Sequence, residues 1–179
     1  MRENETAYSG AAYMRLVAVD PGLRGCGVAV FYAGLLTWAS YVRSPEKTKR
    51  GGAAWIAMGG AVAEALGRKL GPVNYPGSVG YVEYPQQYDG AGHTADRGDI
   101  SELTAVAGGL ALVLRGYCAE VRTPKPREWK GQTPKGIHVA RTARKLSAAE
   151  MATLEPCPES LRHNVLDAVG IGLWALGRS

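Results

Sequence analysis

Short apolar runs of strand length, each cut by turn-forming residues, dominate the first quarter of the chain. Residues 15–20 form one such run and end in an acid, Asp20, after which Pro21-Gly22 turns the chain into a second run over residues 27–32. Residues 35–42 make a third, because Trp38, Tyr41 and Val42 favour a pleated surface and lack helical spacing. Short turns joining three such runs predict an antiparallel meander. Farther along, residues 53–70 read as a helix closed by Gly71-Pro72, and residues 79–84 as a buried strand that carries Glu83 near its end and is stopped by Pro85. Residues 85–98, rich in Gly, Gln and Asp, read as a loop. A helix capped by Asp99 or Ser101, with Glu102 in its first turn to suit the macrodipole, runs to about Gly116, and residues 118–123 give a fifth strand. The Pro-rich basic segment 124–134 leads into a basic helix over residues 134–146, with Pro134 suited to its first turn. A final helix starts near Glu159 or Ser160, runs to Leu176 and ends at Gly177.

That order, βββαβαβαα, predicts an α/β fold: a five-stranded mixed sheet, three strands in an antiparallel meander plus two parallel ones, flanked by helices on both faces. Residues 15–177 are expected to form a single domain behind an N-terminal tail of residues 1–14. At 179 residues the chain has room for one such core and not for two nucleotide-clasping lobes. The uncharged run 25–42 is long enough for a membrane span, but Gly25, Gly27, Gly34, Thr37 and Ser40 interrupt it and Ala33-Gly34 splits it, so it reads as a hairpin and no membrane association is expected. The first ten residues lack the apolar core of a secretion signal, and Cys26, Cys118 and Cys157 form no CxxC pair; both point to a reducing cytosol.

Charge is distributed unevenly. The net charge is +5, yet residues 122–145 hold eight basic side chains (Arg122, Lys125, Arg127, Lys130, Lys135, Arg141, Arg144, Lys145) against one acid, Glu128; that window carries +7 and the remainder 5 − 7 = −2. A basic stripe on a slightly acidic body suits a polyanionic partner, and a solvated helix face would carry the same residues.

The acids supply candidate chemistry. Parallel strands of an open sheet present their C-terminal ends on one rim, where ligands of such folds bind. Asp20 and Glu83 each end such a strand, and two carboxylates at one rim repel unless a cation lies between them; Mg²⁺ favours carboxylate oxygen. His163 and Asp167, four residues apart, share a face of the last helix, and Gly170 one turn on would let that helix lie close to the sheet edge. Each piece has a plainer alternative: Asp20 as a turn-former before Pro-Gly, Glu83 as an edge-strand charge, His163 and Asp167 as complements to the helix dipole.

The stretch Val17-Ala18-Val19-Asp20-Pro21-Gly22-Leu23-Arg24-Gly25-Cys26-Gly27-Val28 resembles the first hairpin of RuvC-type Holliday junction resolvases, members of the ribonuclease H-like superfamily. Val82-Glu83-Tyr84-Pro85 is similar to their second acidic strand, and His163-Asn164-Val165-Leu166-Asp167-Ala168 to their final catalytic helix. Arg127-Glu128-Trp129-Lys130-Gly131 with Lys135 is similar to a segment of phage-encoded resolvases of this type. These blocks keep the family's order over residues 15–176. The last helix departs from it: the family carries an acid or His three residues before the final Asp, where this chain has Asn164, with His163 four before.

The resemblance implies a ribonuclease H-like fold and a metal-dependent endonuclease that cuts four-way DNA junctions as a homodimer, in the cytosol of a bacterium or a phage-infected cell. It implies two Mg²⁺ ions, with Mn²⁺ as the substitute and no small-molecule cofactor, and products ending in 5′-phosphate and 3′-hydroxyl. Asp20 is expected to bridge the ions, with Glu83 and Asp167 on either side and His163 or Asn164 completing the site; His163 is a candidate for ligation or proton transfer. DNA-binding candidates are Arg127, Trp129, Lys130, Lys135, Arg141, Arg144 and Lys145, with Tyr84 and Tyr88 as wedges near the junction centre and Trp129 alternatively a packing residue. Competing functions are a related nuclease acting on RNA or on flapped or branched DNA, and a non-catalytic nucleic-acid-binding module.

Overall fold

A computed structural model describes residues 15–46, 51–71, 75–86, 97–133 and 135–178. Tyr88, the tail 1–14 and the helix-starting role expected of Pro134 lie outside them. The strands are β1 (Arg15–Asp20), β2 (Gly25–Tyr32), β3 (Leu35–Arg43), β4 (Tyr75–Val82) and β5 (Cys118–Arg122). They form one sheet in the order β3-β2-β1-β4-β5, antiparallel from β3 to β1 and parallel from β1 through β4 to β5. The five-stranded mixed sheet expected from the pattern is therefore what forms. Ala33 and Gly34, both at positive φ (47° and 81°), make the two-residue turn that joins β2 to β3, the geometry whose twist matches a hairpin.

Helices α1 (Gly52–Leu70) and α2 (Arg97–Arg115) cover one face; α6 (Glu159–Ala175) covers the other. Alternation along the strands divides the core accordingly: Val17, Val19 and Val82 point toward α1 and α2, while Leu16, Ala18, Val79 and Tyr81 point toward α6. Two single turns, α3 (Pro126–Trp129) and α5 (Ala148–Met151), bracket α4 (Lys135–Arg144) and add to the pattern-based order. The basic 124–134 segment thus contains a turn of helix, which Pro126 starts at the position where proline costs no hydrogen bond. α2 begins at Arg97, so neither Asp99 nor Ser101 caps it, and Glu102 serves α1 instead: its carboxylate accepts from Gly51 N–H (3.0 Å) and Trp55 Nε1 (2.6 Å). Strand β4 ends at Val82, which leaves Glu83 just past its end rather than inside it.

The α6 face is set by backbone contact. Gly27 lies where an added Cβ would stand 1.9 Å from the Asn164 carbonyl oxygen, and a Cβ on Gly172 would stand 2.1 Å from the Phe31 ring. These two glycines let α6 sit directly on β2. The role expected of Gly170 therefore falls to Gly27 and Gly172; a Cβ on Gly170 would meet His138, Trp129 and Thr142, at 2.7, 2.9 and 3.2 Å. No helix among the described residues is long and apolar enough to cross a membrane, and 25–42 is the β2–β3 hairpin. Cys26 and Cys118 are buried, Cys157 is partly so, and all three are free thiols.

A polar knot closes the far end of the domain. Buried Glu150 accepts from Leu36 N–H (3.1 Å), from Ser147 N–H (3.0 Å) and hydroxyl (3.1 Å), and from both ends of the Arg178 guanidinium (2.7 and 3.0 Å). Arg178 first, aided by these backbone and hydroxyl donors against the cost of burial, holds the Glu150 pKa down at about 2 from an ordinary 4.5. A carboxyl more acidic in the folded state stabilises it above its unfolded pKa and stops doing so as pH falls through the folded one. Stability should accordingly decline between about pH 5 and pH 2, by on the order of 2 kcal/mol after solvent screening at the part-exposed Arg178, and Glu150→Gln should remove that component from a urea titration at several pH values. Gly27→Ala should cost roughly 3 kcal/mol, a fall in Tm of roughly 6–12 °C by calorimetry, because backbone rather than a movable side chain stands in the way.

Candidate active site

Strand β1 pairs with β4 through Val19↔Val82, and the ladder continues one step as Glu83 N–H donates to the Val19 carbonyl at 3.0 Å. Asp20 and Glu83 therefore leave neighbouring parallel strands at the same rim. Strand alternation puts them on one face as well: Asp20 follows Leu16 and Ala18, and Glu83 follows Val79 and Tyr81, all turned toward α6. From α6 comes Asp167, only 3% exposed. Asp20 is opposite Gly27 in the β1–β2 register, and Gly27 touches the α6 backbone at Asn164 and Val165, so helix and strand end are fixed to one another beside this rim.

Electrostatics link the carboxylates. Burial first, and then the charge of Asp167, push the Glu83 pKa up, against the opposing pull of Lys130 and the indole of Trp129. The Glu83 oxygen Oε2 accepts from Trp129 Nε1 at 2.7 Å and from Lys130 Nζ at 3.3 Å. Trp129 is buried, 6% exposed, and packs edge-on against His138 with ring centroids 4.7 Å apart. Its indole is thus given to Glu83, not to a nucleic-acid base, and among the DNA-binding candidates it takes the packing role. Asp20 shows its charge elsewhere: after burial it contributes to raising the Cys26 thiol, pushed up to about 12, and the Tyr41 phenol.

A divalent cation fits the donor chemistry of this rim, since hard carboxylate oxygens are what such an ion prefers and the raised Glu83 pKa is what it would relieve. The ligand set is not closed around one point, however. No group of three His, Cys, Asp or Glu side chains among the described residues is placed to hold a metal ion. Glu83 is turned onto Trp129 and Lys130.

The remaining candidates spread along the same side. His163 and Asn164 are half-buried in the second turn of α6, with the Asn164 carbonyl against Gly27. Tyr84 is 38% exposed beside Glu83, its N–H held by the Pro124 carbonyl at 2.8 Å. Arg127, Arg141, Arg144 and Lys145 are exposed on α3, α4 and the turn after α4, and Lys135 begins α4. His138 was not among the candidates. Its imidazole lies within reach of the Asp167 charge, and its pKa is lowered by burial first and then by Lys130, Lys145 and Arg141, against the upward pull of Asp167. The one trace of it in the sequence is its spacing, four residues before Thr142 on the basic helix, where the two side chains come within 3.3 Å.

No family model and no curated protein sequence matches the chain. Solved structures do. RuvC of T. thermophilus in complex with a Holliday junction substrate aligns with a TM-score of 0.59 at 20% identity, covering 92% of this chain and 94% of that one. A second structure of Thermus thermophilus RuvC gives 0.55 at 18% identity, covering 91% and 94%. The yeast mitochondrial Holliday junction resolvase gives 0.52 at 11%, covering 96% and 84%. The chain therefore has the ribonuclease H-like fold seen in RuvC, over more than nine-tenths of its length.

The opposed influences on Glu83 can be separated. Asp167→Asn removes a neighbouring negative charge and should lower the Glu83 pKa, whereas Lys130→Met removes its cation and should raise it. Side-chain ¹³C NMR titration of the metal-free protein reads both directions.

Proposed function

We propose that this chain is a metal-dependent, structure-selective endonuclease that resolves four-way DNA junctions. What supports the reading is that Asp20 and Glu83 leave adjacent strand ends on one sheet face and that the charge of buried Asp167 of α6 is felt at Glu83, in a chain whose fold follows RuvC over more than nine-tenths of both lengths. In this reading Asp20, Glu83 and Asp167 hold Mg²⁺, with Mn²⁺ able to replace it, and His163 or Asn164 completes the set. Held there, such ions would supply Lewis acidity for a water nucleophile and for the leaving 3′-oxygen, chemistry that would give 5′-phosphate and 3′-hydroxyl ends.

The chain's own residues do the rest. Gly27 brings the α6 backbone onto β2, and Trp129 fixes the height of Glu83 above the sheet. The exposed cations of α3, α4 and the adjoining turns neutralise backbone phosphates, a sequence-independent attraction that suits recognition of shape over base order. Tyr84 stands exposed beside Glu83, in position to stack on an unpaired base at the branch point. A junction has two-fold symmetry and resolution needs two cuts, so the working form is a homodimer.

Asp20→Asn, Glu83→Gln and Asp167→Asn should each lower Mg²⁺-dependent cutting of a synthetic mobile junction by roughly 10²-fold or more while gel-shift affinity changes little, because the lost charges serve the ion. Flapped DNA, linear duplex and RNA duplex run alongside test selectivity, and His163→Ala against Asn164→Ala names the fourth group by the larger loss. Full cutting by all three carboxylate variants would sink the assignment.

A further inference from the structure

Behind the Glu83 contact lies a cavity of about 150 Å³ between α3, α4 and α6. That is room for about five waters, the size of one tetrahedral oxyanion, and well below the ~300 Å³ at which drug-sized ligand pockets begin. Three cations line it, Lys130, Arg141 and Lys145, together with the hydroxyls of Thr133 and Thr142; no carboxylate does. Gly170 forms part of its wall, where a Cβ would crowd His138, Trp129 and Thr142. Arg141 and Lys145 lie four residues apart, so α4 presents both from one face, and Lys130 reaches in from the turn after α3. All three act on the His138 imidazole, as does the Asp167 carboxylate from the opposite side of the charge balance, which places the three cations around one point.

Such a set of like charges repels itself unless an anion offsets it. At present Lys130 is offset by Glu83, at 3.3 Å, longer than the 2.7–2.9 Å usual for an ammonium–carboxylate bond. The Trp129 indole holds the same oxygen more closely, at 2.7 Å. Resting on the nuclease reading above, we propose that this cavity is a socket for a single backbone phosphate of the bound DNA, and that Lys130 is shared between that phosphate and Glu83. Filling the socket draws Lys130 off the carboxylate. Arg141 supplies a planar fork and Lys145 a point charge to the phosphate oxygens, and the two threonine hydroxyls complete the donors. Glu83, left with Trp129 and beside Asp167, then presents a more negative rim to a cation. By linkage, whatever a phosphate contributes to cation affinity, a cation contributes equally to phosphate affinity. DNA binding and completion of the carboxylate site are coupled through one side chain.

The indole N–H signals of the full-length, metal-free protein read this directly. Four tryptophans give four signals; Trp129 is assigned with Trp129→Phe. Trp38 and Trp55, whose indoles donate to Glu155 at 2.7 Å and Glu102 at 2.6 Å, are references remote from the cavity. Inorganic phosphate at constant ionic strength, and separately an unlabelled four-way junction, should each shift the Trp129 signal saturably and leave the references in place. In the Arg141→Met/Lys145→Met variant, whose changes fall on exposed side chains, the phosphate response should weaken by about tenfold or more. A Trp129 signal that stays fixed while a gel shift shows the junction bound overturns the socket and leaves the nuclease reading standing. Failure of the junction to bind at all overturns the nuclease reading. A response to phosphate but not to the bound junction, or one undiminished in the double variant, overturns the proposal as well.

Discussion

Everything at the rim depends on how closely a helix backbone can approach a strand. The Asn164 carbonyl sits where a side chain on residue 27 would be, so α6 reaches β2 at a distance only glycine permits. That contact is paired across the ladder with Asp20, and it delivers Asp167 three residues farther along the same helix. With any larger residue at 27, the helix would have to lift or slide, and the two carboxylates it aligns would separate. Phe31 against Gly172 repeats the device two turns on, so the helix is pinned at two points and its rotation is set.

Burying charge where it is needed creates a second constraint. Burial first, and then the charge of Asp167, raise the cost of ionising Glu83, and the sheet end offers little water to relieve it. The protein meets this with an indole from the end of α3 and an ammonium from the residue just after it, both on Glu83. Trp129 is a neutral donor locked by packing on His138, whereas Lys130 is a flexible cation with 23% of its side chain exposed. A fixed partner and an exchangeable one thus hold the same oxygen. Elsewhere the charged groups serve stability instead: on the opposite face Glu102 ties α1 to α2, and on the α6 side Glu150 binds the β3 start to Arg178 beyond α6.

Much of this was readable from residue order, and the unreadable part has a common cause. Strand order, the Ala33-Gly34 turn and the α6 boundaries followed from alternation and turn chemistry, which act within a few residues, whereas β2 starts two residues earlier than the pattern indicates and β4 spans Tyr75–Val82 rather than 79–84. Asp20 and Glu83 were legible as a pair because strand ends of a parallel sheet share a rim. Errors arose where a residue's partner is distant: Glu102 looked like a first-turn acid of its own helix but caps another, Gly170 looked like the glycine that brings the helix onto the sheet when Gly27 is, and the reach of Glu150 to Leu36 and Arg178 had no local signature. The α3 turn was hidden by its own prolines, which read as loop although Pro126 opens a helix.

One edge of the sheet carries a further implication. Beyond β3, residues 153–155 lie alongside it: Ala39 N–H donates to the Thr153 carbonyl at 3.4 Å, Glu155 N–H to the Ala39 carbonyl at 2.8 Å, and Ala39 bridges Leu154 in parallel. The middle of that border strand is therefore already occupied by the protein's own chain, and the opposite border, β5, carries Glu120 and Arg122 in an ion pair. Neither offers a long bare ladder on which another molecule could continue the sheet. Among the described residues, then, neither border invites a second copy to extend the sheet, and the strand ends that carry Asp20 and Glu83 lie away from both borders.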